Sequence, residues 1–224
     1  LIFAIISDIH GNLQALEKVL NDIESRKPDR VICLGDLVGY GANPNEVIDR
    51  IRQCADVVLA GNHDHAAIGL TDITVFNQFA FNAAIWTRKI LTPENHEYLT
   101  SVPFTHSEDD LYFTHASPHN PEDWHYIFTR YDAEYAMEHA PTGIVFIGHT
   151  HVPNDHQTRN GRLINVGSVG QPRDGDPRAA YTLFDNQTGE RRLIRLDYDI
   201  KSAGKAILKA GLPKFLAERL VKGR

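Results

Sequence analysis

Five apolar runs in this chain end in side chains that bind metals or move protons. They give Asp8 and His10 in SDIHGN, Asp36 in LGDLVGYG, Asn62, His63 and Asp64 in AGNHDH, His115 in FTHAS, and His149 and His151 in FIGHTH. Singly, each has a bland reading: an Asp after a strand is usually a turn or cap residue, and a buried His is more often hydrogen-bonded than metal-bound. Together they argue for one site, because the strands of an open α/β sheet bring their carboxyl ends to a common crevice. Imidazole nitrogen, carboxylate oxygen and amide oxygen, with no thiolate, suit divalent metals such as Mn, Fe or Zn. His149 and His151 would share a face in a regular strand, and just past its end the turn can aim each at a different ion.

The elements that must hold these residues follow from hydrophobic spacing. IFAIIS is a continuous apolar run suited to a strand buried on both faces, and NLQALEKVLNDIES shows helical spacing at Leu13, Leu16, Val19, Leu20 and Ile23. RVICLG and DVVLAG predict the next strands, with NPNEVIDRIRQC between them as a helix capped by Asn43 and opened by Pro44. Val75 to Leu91 and TPENHEYLTS, the latter capped by Thr92, predict two more helices. DLYFTHA and GIVFIGHT are later strands, separated by a loop rich in Pro, His and aromatics and by the helical DAEYAMEH. GRLINVG, AAYTLFDN and RRLIRLDYD read as a closing meander with NQTGE as a hairpin turn. Early βα units followed by a meander predict an α/β sandwich of two sheets. With no long linker, repeat or low-complexity stretch, 1–224 is expected to be a single domain, with 200–224 a C-terminal helical extension.

Composition narrows the function classes. A chain of 224 residues with 42% hydrophobic content can bury a full core. A net charge of -6 and a pI near 6.0 argue against a protein that coats nucleic acid, which needs a basic face. No stretch approaches the roughly 20 apolar residues of a membrane span. The opening LIFAIISDIH reads as a first strand instead of a leader, and Cys33 and Cys54 read as buried thiols, so a cytoplasmic location is expected. Formation of a homo-oligomer stays open.

Taken together, D-x-H, GD, GNHD, a separate His and GHTH resemble the calcineurin-like metallophosphoesterase superfamily over Asp8 to His151. The stretch INVGSVGQPRDGDPRAAYTLFD further resembles its small bacterial and archaeal phosphoesterases. The resemblance implies a four-layer α/β fold, two mixed β-sheets in a sandwich flanked by helices. It implies Asp8, His10 and His151 on one metal, Asn62, His115 and His149 on a second, and Asp36 bridging them. Two divalent ions against two carboxylates leave a positive surplus that a bridging hydroxide and an anionic substrate would meet. Metals about 3.5–4 Å apart can activate a shared water for in-line attack on phosphorus. The implied reaction is hydrolysis of small phosphodiesters or phosphomonoesters by metal-bound hydroxide, without a phosphoenzyme, and Mn2+ is the favoured metal ahead of Fe, Zn or Ni. His63 resembles the family histidine that protonates the leaving group, and Asp64 would orient it through its other ring nitrogen; a purely structural pair is the alternative.

Further residues carry paired readings. Asn12 could contact substrate or cap the helix it precedes. Arg173, in the glycine-rich GSVGQPRDGDPR, could bind a phosphate or pair with Asp174 or Asp176. His119, Trp124, His125 and Tyr126 could wall a pocket for a base or sugar, or form a packed cover. His65, His96, His106, His139 and His156 fit no motif and read as surface or structural. The C-terminal stretch, with seven Lys and Arg against one Glu and apolar residues Ile207, Leu208, Phe215, Leu216 and Leu220, is expected to form helices over a sheet edge or a subunit contact. A protein phosphatase is disfavoured, since relatives of that type carry an Arg soon after GD and here none precedes Arg50. A dinucleoside polyphosphate hydrolase and a metal-binding interaction scaffold are the remaining alternatives.

Overall fold

The computed structural model describes all residues from Leu1 to Arg224. The run Ile2–Ile6 forms strand β1, buried from Phe3 onward, at the centre of a five-stranded sheet. Helix α1 (Leu13–Arg26) follows and lays Ala15, Leu16, Val19, Leu20 and Ile23 on that sheet, while Leu13 at its first position is only partly buried. Strand β2 (Arg30–Cys33) lies parallel to β1 and is followed by α2 (Pro44–Cys54). The expected third strand is cut to β3 (Val57–Val58), because the chain turns at once into a helix that hydrophobic spacing did not disclose, α3 (Asn62–Ile68). Seven residues with a polar first turn, NHDH, are too few to display a helical period. Helices α4 (Gln78–Ile90) and α5 (Pro93–Ser101) follow.

The second sheet contains β4 (Thr105–Glu108), β5 (Leu111–Thr114), β6 (Ile144–Ile147), β7 (Asn154–Thr158) and β8 (Gly161–Asn165), with α6 (Arg130–Met137) between β5 and β6. Its order is β4-β5-β6-β8-β7. The edge strands β4 and β7, THSE and NDHQT, lack an apolar face and were invisible to the pattern, as edge strands facing solvent can be. The closing strands do not form one meander. Strand β8 pairs parallel with β6, whereas β9 (Ala179–Asp185) and β10 (Glu190–Leu196) return to the first sheet, giving β10-β9-β1-β2-β3. Both sheets are mixed.

Between the sheets, Phe3, Ile5, Ile32, Leu34 and Phe184 meet Leu111, Phe113, Phe146 and Ile164. The rings of Phe113 and Phe146 stack at 5.2 Å within 13° of parallel. Helices α1 and α2 cover the outer face of the first sheet, and α6 that of the second. Cys33 is buried, Cys54 partly so, and both are free thiols. No helix is long and apolar enough to cross a membrane.

The C-terminal helices α7 (Ile200–Lys209) and α8 (Lys214–Lys222) do not cover a sheet edge. Ala203, Ile207, Leu216 and Leu220 pack with Tyr40 and with Ala80 and Ala83 of α4, and Phe215 stacks on Phe79 at 4.4 Å. Their apolar faces are thus taken up inside the chain, next to the loop after β2. If the sheet interface is the main core, Phe146→Ala lowers the unfolding free energy by about 3–5 kcal/mol in urea titrations.

Candidate metal centre

The loops after β1 and β2 are zipped by their backbones. The N–H groups of Asp8, Ile9, His10 and Gly11 donate to the carbonyls of Gly35, Asp36, Asp36 and Leu37 at 2.8–3.0 Å. This contact holds Asp8, His10 and Asp36 in the left-handed region at φ 55, 51 and 52°, and the loop after β6 does the same for His149 and His151 at 65 and 60°. L-residues rarely adopt that conformation, and its recurrence at functional sites reflects strain that the surrounding structure over-determines. Glycines make room for the approach. A Cβ on Gly61 would sit 2.1 Å from Asp36 Oδ1, and one on Gly148 would sit 2.5 Å from Asp8 Oδ2.

Two groups of ligand atoms result, each within 4.8 Å: Asp8, His10, Asp36 and His151, and then Asp36, His115 and His149. Asp36 belongs to both. In the first group, His10 Nδ1 donates to Val38 O at 3.0 Å and His151 Nδ1 to Gln171 O at 2.6 Å. Each Nδ1 therefore carries the proton, and the two Nε2 atoms face each other at 3.0 Å with lone pairs inward. In the second, His115 Nδ1 donates to Leu34 O, and its Nε2 lies 3.2 Å from His149 Nδ1 and 3.4 Å from Asp36 Oδ2. The remaining carboxylate oxygens are positioned by backbone donors: His63 N–H on Asp36 Oδ1 at 2.8 Å and His149 N–H on Asp8 Oδ2 at 3.0 Å.

Asp8 Oδ1, Asp36 Oδ2 and Asn62 Oδ1 are buried and have no hydrogen-bond partner. A buried unpaired carboxylate oxygen is costly, and cations are the groups that would satisfy these atoms, so the residues present fit a metal site. Burial holds the imidazoles of His10, His149 and His151 well below their usual range, and therefore neutral, as a metal ligand must be. Burial pushes the Asp8 carboxyl up. It acts on Asp36 too, but there the charge of His115, whose own imidazole the Asp36 carboxylate raises to about 9, prevails and holds that carboxyl well below the usual range.

The other expected residues fall in several places. Asn62 opens α3 and is buried. His63 is packed by aromatic rings, Tyr40 at 4.5 Å, His10 at 5.0 Å and Phe76 at 5.1 Å, with Nδ1 unpartnered. Burial brings its imidazole down to about 4. Asp64 does not touch it: its two oxygens accept from Val38 N at 3.1 Å and Gly61 N at 3.0 Å. The orienting role expected of Asp64 is thereby corrected, because successive residues on a helix point about 100° apart and do not face each other. Asp64 instead caps α3 and ties it to the loop after β2.

Asn12 is likewise engaged. Its Oδ1 accepts from Ala15 N, and its Nδ2 donates to Gly170 O at 2.8 Å and Tyr198 Oη at 3.2 Å, so its polar atoms serve the cap and a tie between loops instead of reaching for substrate. Arg173 pairs with neither Asp174, which is taken by Arg195, nor Asp176, which is taken by Arg178. Its guanidinium donates to Gln171 Oε1 and lies 5.7 Å from the centre of the Tyr40 ring. The aromatic loop divides its roles. Trp124 covers His115 and His65 at 5.8 and 5.5 Å, while His119, His125 and Tyr126 line an open pocket of about 290 Å³. Tyr126 also stacks on His149 at 4.0 Å. Tyr40 and Gln171 were missed as site residues; no ligand-type side chain flags them, and only their loops, LVGYG and GQPR, hint at close packing.

The description "Calcineurin-like phosphoesterase superfamily domain" fits residues 1–189, and the chain belongs to this family of metal-dependent hydrolases acting on phosphate esters. It is 40% identical to the uncharacterized protein MJ0912 of Methanocaldococcus jannaschii, over 99% of this chain and 98% of that one. It is 26% identical to phosphodiesterase YfcE of Escherichia coli K12, over 80% of this chain and 85% of that one. The crystal structure of a metallophosphoesterase from Sphaerobacter thermophilus superposes with a TM-score of 0.88 at 36% identity, covering 100% of this chain and 99% of that one.

The close contact at Gly61 gives a direct test. Gly61→Ala is expected to displace the Asp36 carboxylate and weaken metal binding by about 10- to 100-fold, read by titrating metal into stripped protein, with the far-UV circular dichroism unchanged.

Proposed function

We propose that the chain is a dinuclear metal-dependent phosphoesterase that hydrolyses small phosphodiesters or phosphomonoesters. The observation that carries this reading is the pair of imidazole lone pairs facing each other at 3.0 Å between His10 and His151, beside carboxylate oxygens with no partner. In this reading Asp8, His10 and His151 hold one ion, Asn62, His115 and His149 the other, and Asp36 is shared. Mn2+ is the proposed metal, with Fe, Zn or Ni as substitutes that the same donors accept. Two such ions, when bound, lower the pKa of a shared water and draw charge from the phosphoryl oxygens.

The chain's own groups then do the rest. Backbone donors at His63 and His149 keep Asp36 and Asp8 aimed inward. The oxygen of water bonds to phosphorus, the P–O bond to the leaving group breaks, and His63 passes a proton to the leaving oxygen. Burial keeps His63 neutral; the negative charge of an arriving phosphate ester raises its pKa and favours the imidazolium needed for that transfer. Arg173, with no Asp or Glu partner, is a hydrogen-bonding cation available to the substrate's anionic oxygens. Residues 1–224 act in this reading as one metallophosphoesterase domain in the cytoplasm.

Metal-stripped protein re-supplied with Mn2+ is expected to bind two ions and to hydrolyse bis-p-nitrophenyl phosphate or p-nitrophenyl phosphate. His63→Asn should keep both ions and lose about 100-fold or more of kcat on a poor leaving group. Two bound metals without turnover of any ester would leave the scaffold reading in its place, and full activity in Asp36→Ala would remove the proposed metal arrangement.

A further inference from the structure

Arg219 reaches from α8 to the same aromatic ring that carries Arg173. The two guanidinium carbons lie 5.6 and 5.7 Å from the centre of Tyr40, whose ring packs 4.5 Å from His63 and 4.9 Å from His10. Cation–π attraction to Tyr40 helps hold both. Neither guanidinium has a side-chain carboxylate partner, since the nearby Asp174 and Asp176 are occupied by Arg195 and Arg178. Arg173 gives Nε and Nη2 to Gln171 Oε1, and Arg219 gives Nε to the main-chain oxygen of Arg224. That leaves Nη1 of Arg173 and both terminal nitrogens of Arg219 for another acceptor. Burial first, and then the charge of Arg173, bring the Arg219 guanidinium down to about 10.

Two half-buried like charges held beside one ring cost free energy that an anionic ligand would offset. We propose that Arg173 and Arg219 form a second anion subsite beside the metal centre, and that the preferred substrates carry a further phosphate on the leaving group. This rests on the hydrolase reading above, in which the leaving oxygen faces His63; a group leaving past His63 meets Tyr40 and the two arginines next. The bond broken is that between the attacked phosphorus and the leaving oxygen, and the second phosphate departs intact with its group. Guanidinium donors match phosphate oxygens in a fork that a lysine cannot reproduce. Helix α8 lies beyond residue 189, where the family match ends, so half of this subsite belongs to the C-terminal extension.

The test uses Mn-loaded full-length protein with ADP, whose leaving group bears a phosphate, against p-nitrophenyl phosphate, whose leaving group bears none. Wild type should favour ADP, and R219A should cut the ADP to p-nitrophenyl phosphate ratio of kcat/KM about tenfold, through KM, as expected for lost charge-assisted hydrogen bonds. R219K should recover part of the ratio. An unchanged ratio overturns the subsite, and so does an equal loss on both substrates with a lowered Tm, which marks a helix contact only. Calorimetric titration of ADP separates the two readings: if wild type hydrolyses neither compound yet R219A binds ADP about tenfold more weakly, the hydrolase reading fails and the subsite stands. Equal ADP affinity in the two proteins overturns the subsite.

Discussion

The backbone zipper between the loops after β1 and β2 is the constraint on which the site depends. Four consecutive N–H groups, from Asp8 to Gly11, are spent on three carbonyls of the neighbouring loop. Such bonds are short-range and directional, so they hold Asp8, His10 and Asp36 in left-handed backbone that each residue alone would leave. The strain is tolerated because the parallel pairing of β1 with β2 fixes both loop ends. Side chains that would otherwise alternate across a strand are turned toward one point.

Around that point the chemistry is one of unmet charge. The imidazoles of His10 and His151 use their outer nitrogens on the carbonyls of Val38 and Gln171, which fixes the tautomer and leaves the inner nitrogens bare. The carboxylates each keep one oxygen on a backbone donor and one oxygen free. This is the arrangement of a site whose outer contacts orient ligands for cations. The aromatic packing of His63 serves a different end: it buries the ring and keeps it neutral.

The two sheets and the C-terminal helices contribute unequally. The first sheet and its loops supply Asp8, His10 and Asp36, and the second supplies His115, His149 and His151, so the apolar contact of Phe113, Phe146 and their neighbours aligns two halves of one centre. Helices α7 and α8 wall the His10 side, leaving with α1 and the Tyr40 loop a cavity of only about 10 Å³, while the His149 side stays open beside Tyr126. The packing of α8 places the Arg219 guanidinium over the Tyr40 ring.

Much of this was legible in the chain. Strand ends carrying Asp8, His10, Asp36, His115, His149 and His151 could be read because buried strands are continuous apolar runs and ligand-type residues interrupt them abruptly. Helices with a full apolar stripe, such as α1 and α2, were legible for the same reason. What could not be read depended on neighbours distant in sequence or on elements too short or too polar to show a period. The short helix α3 decided that Asp64 would turn away from His63, and β4 and β7 are recruited by the edges they pair with. Asn12 and Arg173 each had two chemically sound partners, and only the tertiary structure set Asn12 on the cap of α1 and Arg173 apart from Asp174 and Asp176. The sequence determined which atoms could bind metal, since that follows from side-chain chemistry; the fold decided which atoms face each other, since hydrogen-bond geometry acts in space and leaves no mark in residue order.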